Sequence, residues 1–316
     1  MRPVFLGILA ALFFSSTYVL NSRMSLAGGS WMWTASLRYL FMLPLLFVVT
    51  ARGGNQGAVL RAIGRKPGAW LLWSTVGFGL FYAPLAFASD YAPAWAVAGT
   101  FQLTILAGPL LYPIFSRSRQ GAEASPTASA TGQRPIPAIP WRTVRLSGIM
   151  LVGVLIIEQQ QAVHNSGRQA LLAALPVVLS AAAYPIGNRK MMAVCKGELR
   201  ALDRMLGMTM ASLPFWIALA IVAYLRVGWP TLGQLTQSAA VAVLSGVIAT
   251  VLFFSATDRA AGDAHLLARV EATQAMEIVF TLAATLLFIS SRLPGWPSFV
   301  GMALVMTGMA WQALAA

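Results

Sequence analysis

Charge is what this sequence has least of. Only 10% of its 316 residues are charged and nine are acidic, where an ordinary soluble domain carries about 25% charge. With 58% hydrophobic residues and a mean hydropathy of +0.71, a water-soluble fold of this length could not hide its apolar surface. The composition excludes the soluble classes and leaves an integral membrane protein. A single cysteine, Cys195, excludes an intramolecular disulfide. Two histidines, His164 and His265, with no Cys/His cluster, give zinc or haem no ligand set. No metal and no cofactor are expected. The absence of a P-loop excludes ATP-driven transport by this chain alone. No Ser/His/Asp or Cys/His set lies at matching membrane depth, so the chain does not read as an enzyme.

The charge that is present has mostly one sign, with a formal net charge of +13. Most of the Lys and Arg lie between apolar runs. They read as determinants of topology and as contacts with anionic membrane lipid, not as a nucleic-acid surface. A helix needs about 20 apolar residues to cross the hydrocarbon. Windows of that size predict ten spans, roughly at 4–21, 31–50, 69–89, 94–115, 143–158, 169–188, 202–225, 238–257, 265–289 and 296–314. The runs are continuous, not alternating as in a membrane barrel. The first follows Met1-Arg2 and has the look of a signal peptide, but it belongs to an internal repeat.

With the N-terminus placed in the cytoplasm, fifteen Lys and Arg fall on the inside and four (Arg23, Arg168, Arg226 and Arg292) on the outside. By the positive-inside rule, both termini face the cytoplasm, as expected in the inner membrane of a bacterium. Tryptophans agree, since all but Trp216 fall near span ends, where indole prefers the headgroup layer. The stretch 116–142, rich in Ser, Ala, Pro and Gly, reads as a flexible cytoplasmic linker.

A shift of 166 residues matches Tyr18 to Tyr184, Arg23 to Arg189, Ala35 to Ala201, Arg38 to Arg204, Leu40 to Leu206 and Met42 to Met208. It aligns helices 1–2 with helices 6–7. Slightly larger shifts match Asp90 to Asp258 and Gln102 to Gln274. Five helices per half is an odd number, so the halves are inverted in the membrane. The expected fold is all-α, with ten transmembrane helices in two inverted five-helix repeats. Helices 1–4 occupy 1–115, the linker 116–142, helix 5 with an outer loop 143–168, and helices 6–10 residues 169–316. Inverted repeats are common in secondary transporters, whose site lies near mid-membrane between the halves.

The stretches TYVLNSRM (17–24), GGSWMWTASLRYLFMLPLL (28–46) and VEATQAMEIVFTL (270–282) resemble the Putative multidrug resistance efflux transporter branch of the drug/metabolite transporter superfamily. The resemblance covers the whole chain. It implies a ten-helix inverted-repeat bundle that exports small molecules. The four-helix members of the superfamily use a glutamate in their first helix. Helix 1 here, VFLGILAALFFSSTYVLNS, has no acid, so that carboxylate is not carried over.

Ionisable residues inside spans mark the candidate site. Glu277 lies near the middle of helix 9, where insertion of an acid costs on the order of 2.5–3.5 kcal/mol. Glu271 lies nearer the cytoplasmic end, about 120° away around the helix, with Gln274 between them in sequence. Arg38 enters helix 2 from outside by roughly 10 Å, and Arg204 enters helix 7 from the opposite side. Depth alone pairs Arg38 with Glu277 and Arg204 with Glu271. Each carboxylate has a plain structural alternative: an ion pair of Glu277 with Arg38 that locks two helices, and satisfaction of Glu271 by Arg269 and headgroups. Arg204 and Arg269 are read as structural charges. Tyr18, Tyr184, Trp33 and Tyr82 are candidate walls of a cation site, and Gln102 and Gln274 are candidate polar contacts. Asp90, Glu158, Asp258 and Asp263 read as solvated helix ends.

The leading expectation is a secondary exporter of amphipathic or cationic small molecules by alternating access, with protons as the candidate coupling ion. The alternative is an exporter of a metabolite such as an amino acid or a nucleotide derivative, with Arg38 and Arg204 holding an anionic group. A membrane-embedded enzyme or a lipid flippase subunit is less favoured. The expected partners are the small-molecule substrate, protons and membrane lipid. A monomer suffices, and a homodimer stays open.

Overall fold

The computed structural model describes residues 2–53, 55–105, 141–164, 167–260, 263–289 and 293–315. The described chain forms eleven helices. They are α1 (Arg2–Leu26), α2 (Trp31–Ala51), α3 (Gln56–Arg65), α4 (Pro67–Ala88), α5 (Ala94–Phe101) and α6 (Trp141–His164). After these come α7 (Gly167–Cys195), α8 (Ala201–Val227), α9 (Leu232–Arg259), α10 (His265–Phe288) and α11 (Trp296–Ala315). Seven of them, α1, α2, α4, α7, α8, α9 and α10, are long and apolar enough to cross a bilayer. Apolar stretches at Ala94–Ile105 and Gly148–Gln160 are shorter. The protein is an all-helical membrane protein.

Ten of the eleven helices fall on the expected spans; α3 was not expected. It is ten residues long, below spanning length. Val59, fully buried, pins one face of it, while Arg61 and Arg65 on the other are exposed. Helix α7 runs past its expected end at 188, so Arg189 and Lys190 continue the helix. Of the expected fourth span, residues 106–115 lie outside the described residues, as do positions 116–140 of the expected linker. Trp141 and Arg142 already belong to α6.

Glycine ends several helices by taking the left-handed backbone that side chains resist. Gly28 follows α1 at φ +76°, and Gly228 follows α8 at φ +74°. Starts are capped: the Thr231 hydroxyl accepts from the Gln234 N–H at 3.2 Å, and the Asp263 carboxylate accepts from the Leu266 N–H at 3.0 Å.

In a bilayer, water does not drive helices together, so close backbone approach and buried polar contacts must do so. Helix α4 packs on α7, α9 on α1, α2 on α8, and α6 on α11. The α4–α7 crossing is made by Gly77 against Gly187, where a Cβ added to Gly187 would fall within the Gly77 backbone. At the α6–α11 crossing, a Cβ on Gly153 would come 2.7 Å from the Gly301 carbonyl oxygen, and the reverse holds equally. Large apolar side chains point outward, among them Phe5, Leu155, Leu175, Ile221 and Leu287. The interior holds Arg38, Asp203, Gln102, Asn21 and Glu277. Lipid is the solvent for the outer face, so polarity is gathered inside.

Glu158 departs from its expectation as a solvated end. Helix α6 continues to His164, and Glu158 accepts a 2.5 Å hydrogen bond from Thr100 on the neighbouring α5. Asp203, in the first turn of α8, is fully buried and accepts from Arg200 at 3.0 Å. Arg200 also donates to the Gly53 carbonyl at 3.0 Å, tying the α7–α8 turn to the end of α2.

Asp90 lies in the turn between α4 and α5, where partial burial raises its carboxyl above the usual range and a Ser25 side-chain hydrogen bond offsets part of that. A carboxyl with a raised folded-state pKa binds its proton more tightly folded than unfolded. Its contribution to stability therefore falls as pH rises through the carboxylate range. Asp90→Asn should raise the melting temperature at pH 7 relative to wild type, with the gain shrinking towards pH 4. Melting curves in detergent at both pH values check this.

Candidate functional site

The site is built on one turn of α1. Thr17, Tyr18 and Asn21 are all buried there, and each holds a group from another helix. Thr17 donates to Ser245 of α9 at 2.6 Å. Arg38 of α2, only 6% exposed, donates from Nη1 to Thr17 at 3.2 Å and from Nη2 to Ser245 at 3.0 Å. Its guanidinium carbon lies 4.1 Å from the ring centre of Tyr82 on α4, a cation–π contact. The Tyr82 hydroxyl donates to Asn21 Oδ1 at 2.9 Å.

The next residue of α1 faces the acid. The Tyr18 hydroxyl donates to Glu277 Oε2 at 3.3 Å, and Gln102 of α5 also faces that carboxylate. Glu277 is 6% exposed. A turn of 3-10 helix, Thr273–Ala275, interrupts α10 just before it and places Glu277 in the first turn of the segment Met276–Phe288. Helix N-termini favour a carboxylate there. Helix α5 likewise breaks, at Gln102. Gln274 lies within the 3-10 turn, so both glutamines matched in sequence sit where a helix loses its regular turn. Two wider π-helical segments interrupt α4 at Thr75–Gly79 and α9 at Ala242–Ala249, and Ser245 belongs to the second.

Aromatic rings join the two charges. Tyr18 meets Phe101 at 6.4 Å, Phe101 meets Phe81 at 5.5 Å, and Phe81 meets Tyr184 at 4.9 Å. Tyr39 stacks on Trp216 at 4.3 Å and meets Tyr82 edge-on at 5.8 Å. Tyr184 of α7 stays 37% exposed.

The structure brings together Glu277, Tyr18, Gln102, Arg38, Tyr82 and Tyr184 from the residues expected by sequence. The polar contacts of Arg38 are hydroxyls, and no carboxylate lies within ion-pair distance of it among the described residues. Adjacent residues of α1 hold Arg38 and Glu277 separately. Trp33 stands elsewhere: its indole N–H donates to the Gly228 carbonyl at 2.9 Å, and its ring packs with Met32, Leu37 and Ala223. Glu271 and Arg269 are exposed on α10, and Arg189 is the cation acting on Glu271. Arg204 is half-buried, with Cys195 and Tyr184 in electrostatic reach. Thr17, Asn21, Ser245, Phe81 and Phe101 were not singled out by sequence. Thr17 and Asn21, four residues apart on one helical face, carried a readable signal; Ser245 in an apolar run carried none. Between α2, α4 and α7 a groove of about 410 Å³, lined by Trp31, Leu80, Pro84, Phe87 and Leu175, is almost wholly apolar and distinct from this site.

A bundle of spanning helices around a buried acid, a buried guanidinium and a wall of aromatic rings is the construction of a membrane transporter for small molecules. The comparisons specify which kind. The family EmrE, Putative multidrug resistance efflux transporter, matches residues 1–316, and the chain belongs to that family of transporters. It is 44% identical over 309 residues to the uncharacterized protein YjlA of Bacillus subtilis (strain 168), covering 98% of this chain and 93% of that one. It is also 46% identical over 259 residues to an uncharacterized 42.1 kDa protein of Shouchella clausii, encoded in the 3' region of an intracellular alkaline protease. That match covers 82% of this chain and 65% of the relative. A solved crystal structure shares the fold with a TM-score of 0.61 at 16% identity, covering 99% of this chain and 97% of the other.

Proposed function

We propose that the protein is a secondary exporter that works by alternating access and carries amphipathic molecules bearing a basic group, in exchange for protons. The observation that carries this reading is the buried Glu277, held by Tyr18 at 3.3 Å at the edge of an aromatic wall. A single carboxylate can neutralise a cationic substrate or take a proton, not both at once, and that exclusion couples the two fluxes.

Pairwise packing supports an inverted repeat of five plus five. Counting α3 apart, exchange of the two quintets maps α4–α7 onto α9–α1, α1–α10 onto α7–α5, α2–α9 onto α8–α4, and α10–α11 onto α5–α6. Pairs α2–α8, α5–α10 and α6–α11 map onto themselves. The π-helical segments of α4 and α9 and the breaks of α5 and α10 exchange in the same way. Two halves so related can trade conformations and expose one site to either side. The charge bias and the bacterial relatives favour the cytoplasmic membrane with both termini inside.

Proteoliposomes containing the purified chain test the transport reading. Uptake of a radiolabelled lipophilic amine should be saturable and driven by an imposed pH gradient, and protein-free liposomes should show neither property. Uptake indifferent to the gradient would remove proton exchange. For topology, in a Cys195→Ser background, Ala27→Cys should react with a membrane-impermeant maleimide in intact cells. Ala130→Cys should react only in everted vesicles. The opposite pattern would invert the assignment.

A further inference from the structure

Two buried donors beside Tyr82 meet no acceptor among the described residues. Arg38 Nε and Asn21 Nδ2 are closed off from solvent and have no hydrogen-bond partner there. Arg38 is 6% exposed and Asn21 2%. Asn21 Oδ1 is engaged by the Tyr82 hydroxyl at 2.9 Å, which turns the amide so that Nδ2 is the free end. The guanidinium carbon lies 4.1 Å from the centre of the same ring, so both free donors border one side chain. In this conformation the Arg38 guanidinium meets hydroxyls and ring faces, with no carboxylate in ion-pair range among the described residues. Unpaired buried donors, one of them on a cation, are unfavourable unless something supplies acceptors. An oxyanion with two oxygens supplies both charge and acceptors, and guanidinium takes such groups two-pronged.

The geometry points to an anion subsite formed by Arg38 and Asn21 beside the Glu277 site on the same turn of α1, so that the transported molecule is amphoteric: a basic group at Glu277, a carboxylate or comparable oxyanion at Arg38 and Asn21, and an apolar body against the aromatic wall. This deepens the exporter reading and rests on it for the basic end. Residues Thr17 and Tyr18 are neighbours on α1, one grips the guanidinium and the other the carboxylate, and the two charged groups therefore meet the same helix turn. A molecule reaching both must carry opposite charges some distance apart. A permanent monocation would leave the Arg38 charge without an acceptor. The rings of Phe81, Phe101 and Tyr184 supply the surface between. Both donors are enclosed here, so the ligand reaches them in a conformation in which the helices around α1 have parted.

Three probes of one size separate the ends: 4-(aminomethyl)benzoic acid carries both charges, benzylamine only the cation and 4-methylbenzoate only the anion. Equilibrium binding to the purified full chain in detergent is measured by competition, with a melting curve for each variant. The zwitterion should bind about tenfold or more tightly than benzylamine, the scale of a hydrogen bond to a charged group. Arg38→Gln should remove that preference, Asn21→Ala should reduce it, and Arg38→Lys should restore part of it. Equal affinity of zwitterion and cation in the wild-type protein would overturn the subsite, as would a preference that survives Arg38→Gln, or no binding by any probe. Failure of the exporter reading has a different signature. In that case Glu277→Gln leaves benzylamine binding intact, while the Arg38 dependence of 4-methylbenzoate binding still decides the anion subsite. If Arg38→Gln does not fold, the Asn21→Ala and Arg38→Lys ratios decide it.

Discussion

Glu277→Gln should abolish pH-dependent accumulation of a basic amphipathic substrate in everted membrane vesicles, with uptake falling to that of vesicles lacking the protein. Glutamine keeps the size of the side chain and still accepts from the Tyr18 hydroxyl, so packing at the 3-10 turn is retained. What it removes is the negative charge and the site for a proton. Removing one partner of a buried charge interaction costs about 2–5 kcal/mol of binding, or at least about thirtyfold in affinity. Tyr18→Phe should give a smaller loss, because it deletes one hydrogen bond worth about 0.5–1.5 kcal/mol. Normal, pH-dependent uptake by a folded Glu277→Gln protein would exclude the carboxylate from the mechanism. A loss that accompanies a collapsed melting temperature would make Glu277 a structural group.

The second large effect is expected at the α4–α7 crossing. Gly187→Leu should prevent accumulation of folded protein in the membrane. The side chain it adds would occupy the place of the Gly77 backbone, and backbone cannot rotate aside as a side chain can. Overpacking a tight contact costs about 1–3 kcal/mol and sometimes more. Here it also parts two helices that wall the site, since α4 carries Tyr82 and α7 carries Tyr184. Gly68→Leu, where an added Cβ meets nothing within 4 Å, is the control and should be accumulated normally. Fluorescence-detected size-exclusion chromatography of tagged variants measures both. A monodisperse, thermally normal Gly187→Leu protein would show that the crossing tolerates separation.

Much of the fold was legible because membrane insertion constrains composition one helix at a time. Ten apolar stretches could be found from windowed hydropathy, without knowledge of what each packs against. Helix α3 escaped that reading for a physical reason. Its ten residues are too few to span, and its amphipathic face matters only where Val59 finds buried neighbours. Glu158 departs from its expectation because the glutamines that follow it look like a solvated helix end, yet Thr100 of another helix reaches it. Glu277, Arg38, Tyr18 and Gln102 were identifiable because ionisable and amide groups at membrane depth are costly and therefore conspicuous. Their pairing was not. Depth matched Arg38 with Glu277, whereas the direction in which each side chain leaves its helix sends one to Thr17 and Ser245 and the other to Tyr18.

By itself, then, the sequence determined the solvent of this protein, the rough limits of most of its described helices, and the few polar groups that lipid would penalise. These follow from transfer energies that act on each segment alone. Only the tertiary structure decided that Trp33 is fastened to Gly228, that Asn21 and Ser245 meet Tyr82 and Arg38, and that neighbouring residues of α1 hold Arg38 and Glu277 separately. Those outcomes depend on helix rotation and on where glycines let backbones meet, which are properties of pairs of helices.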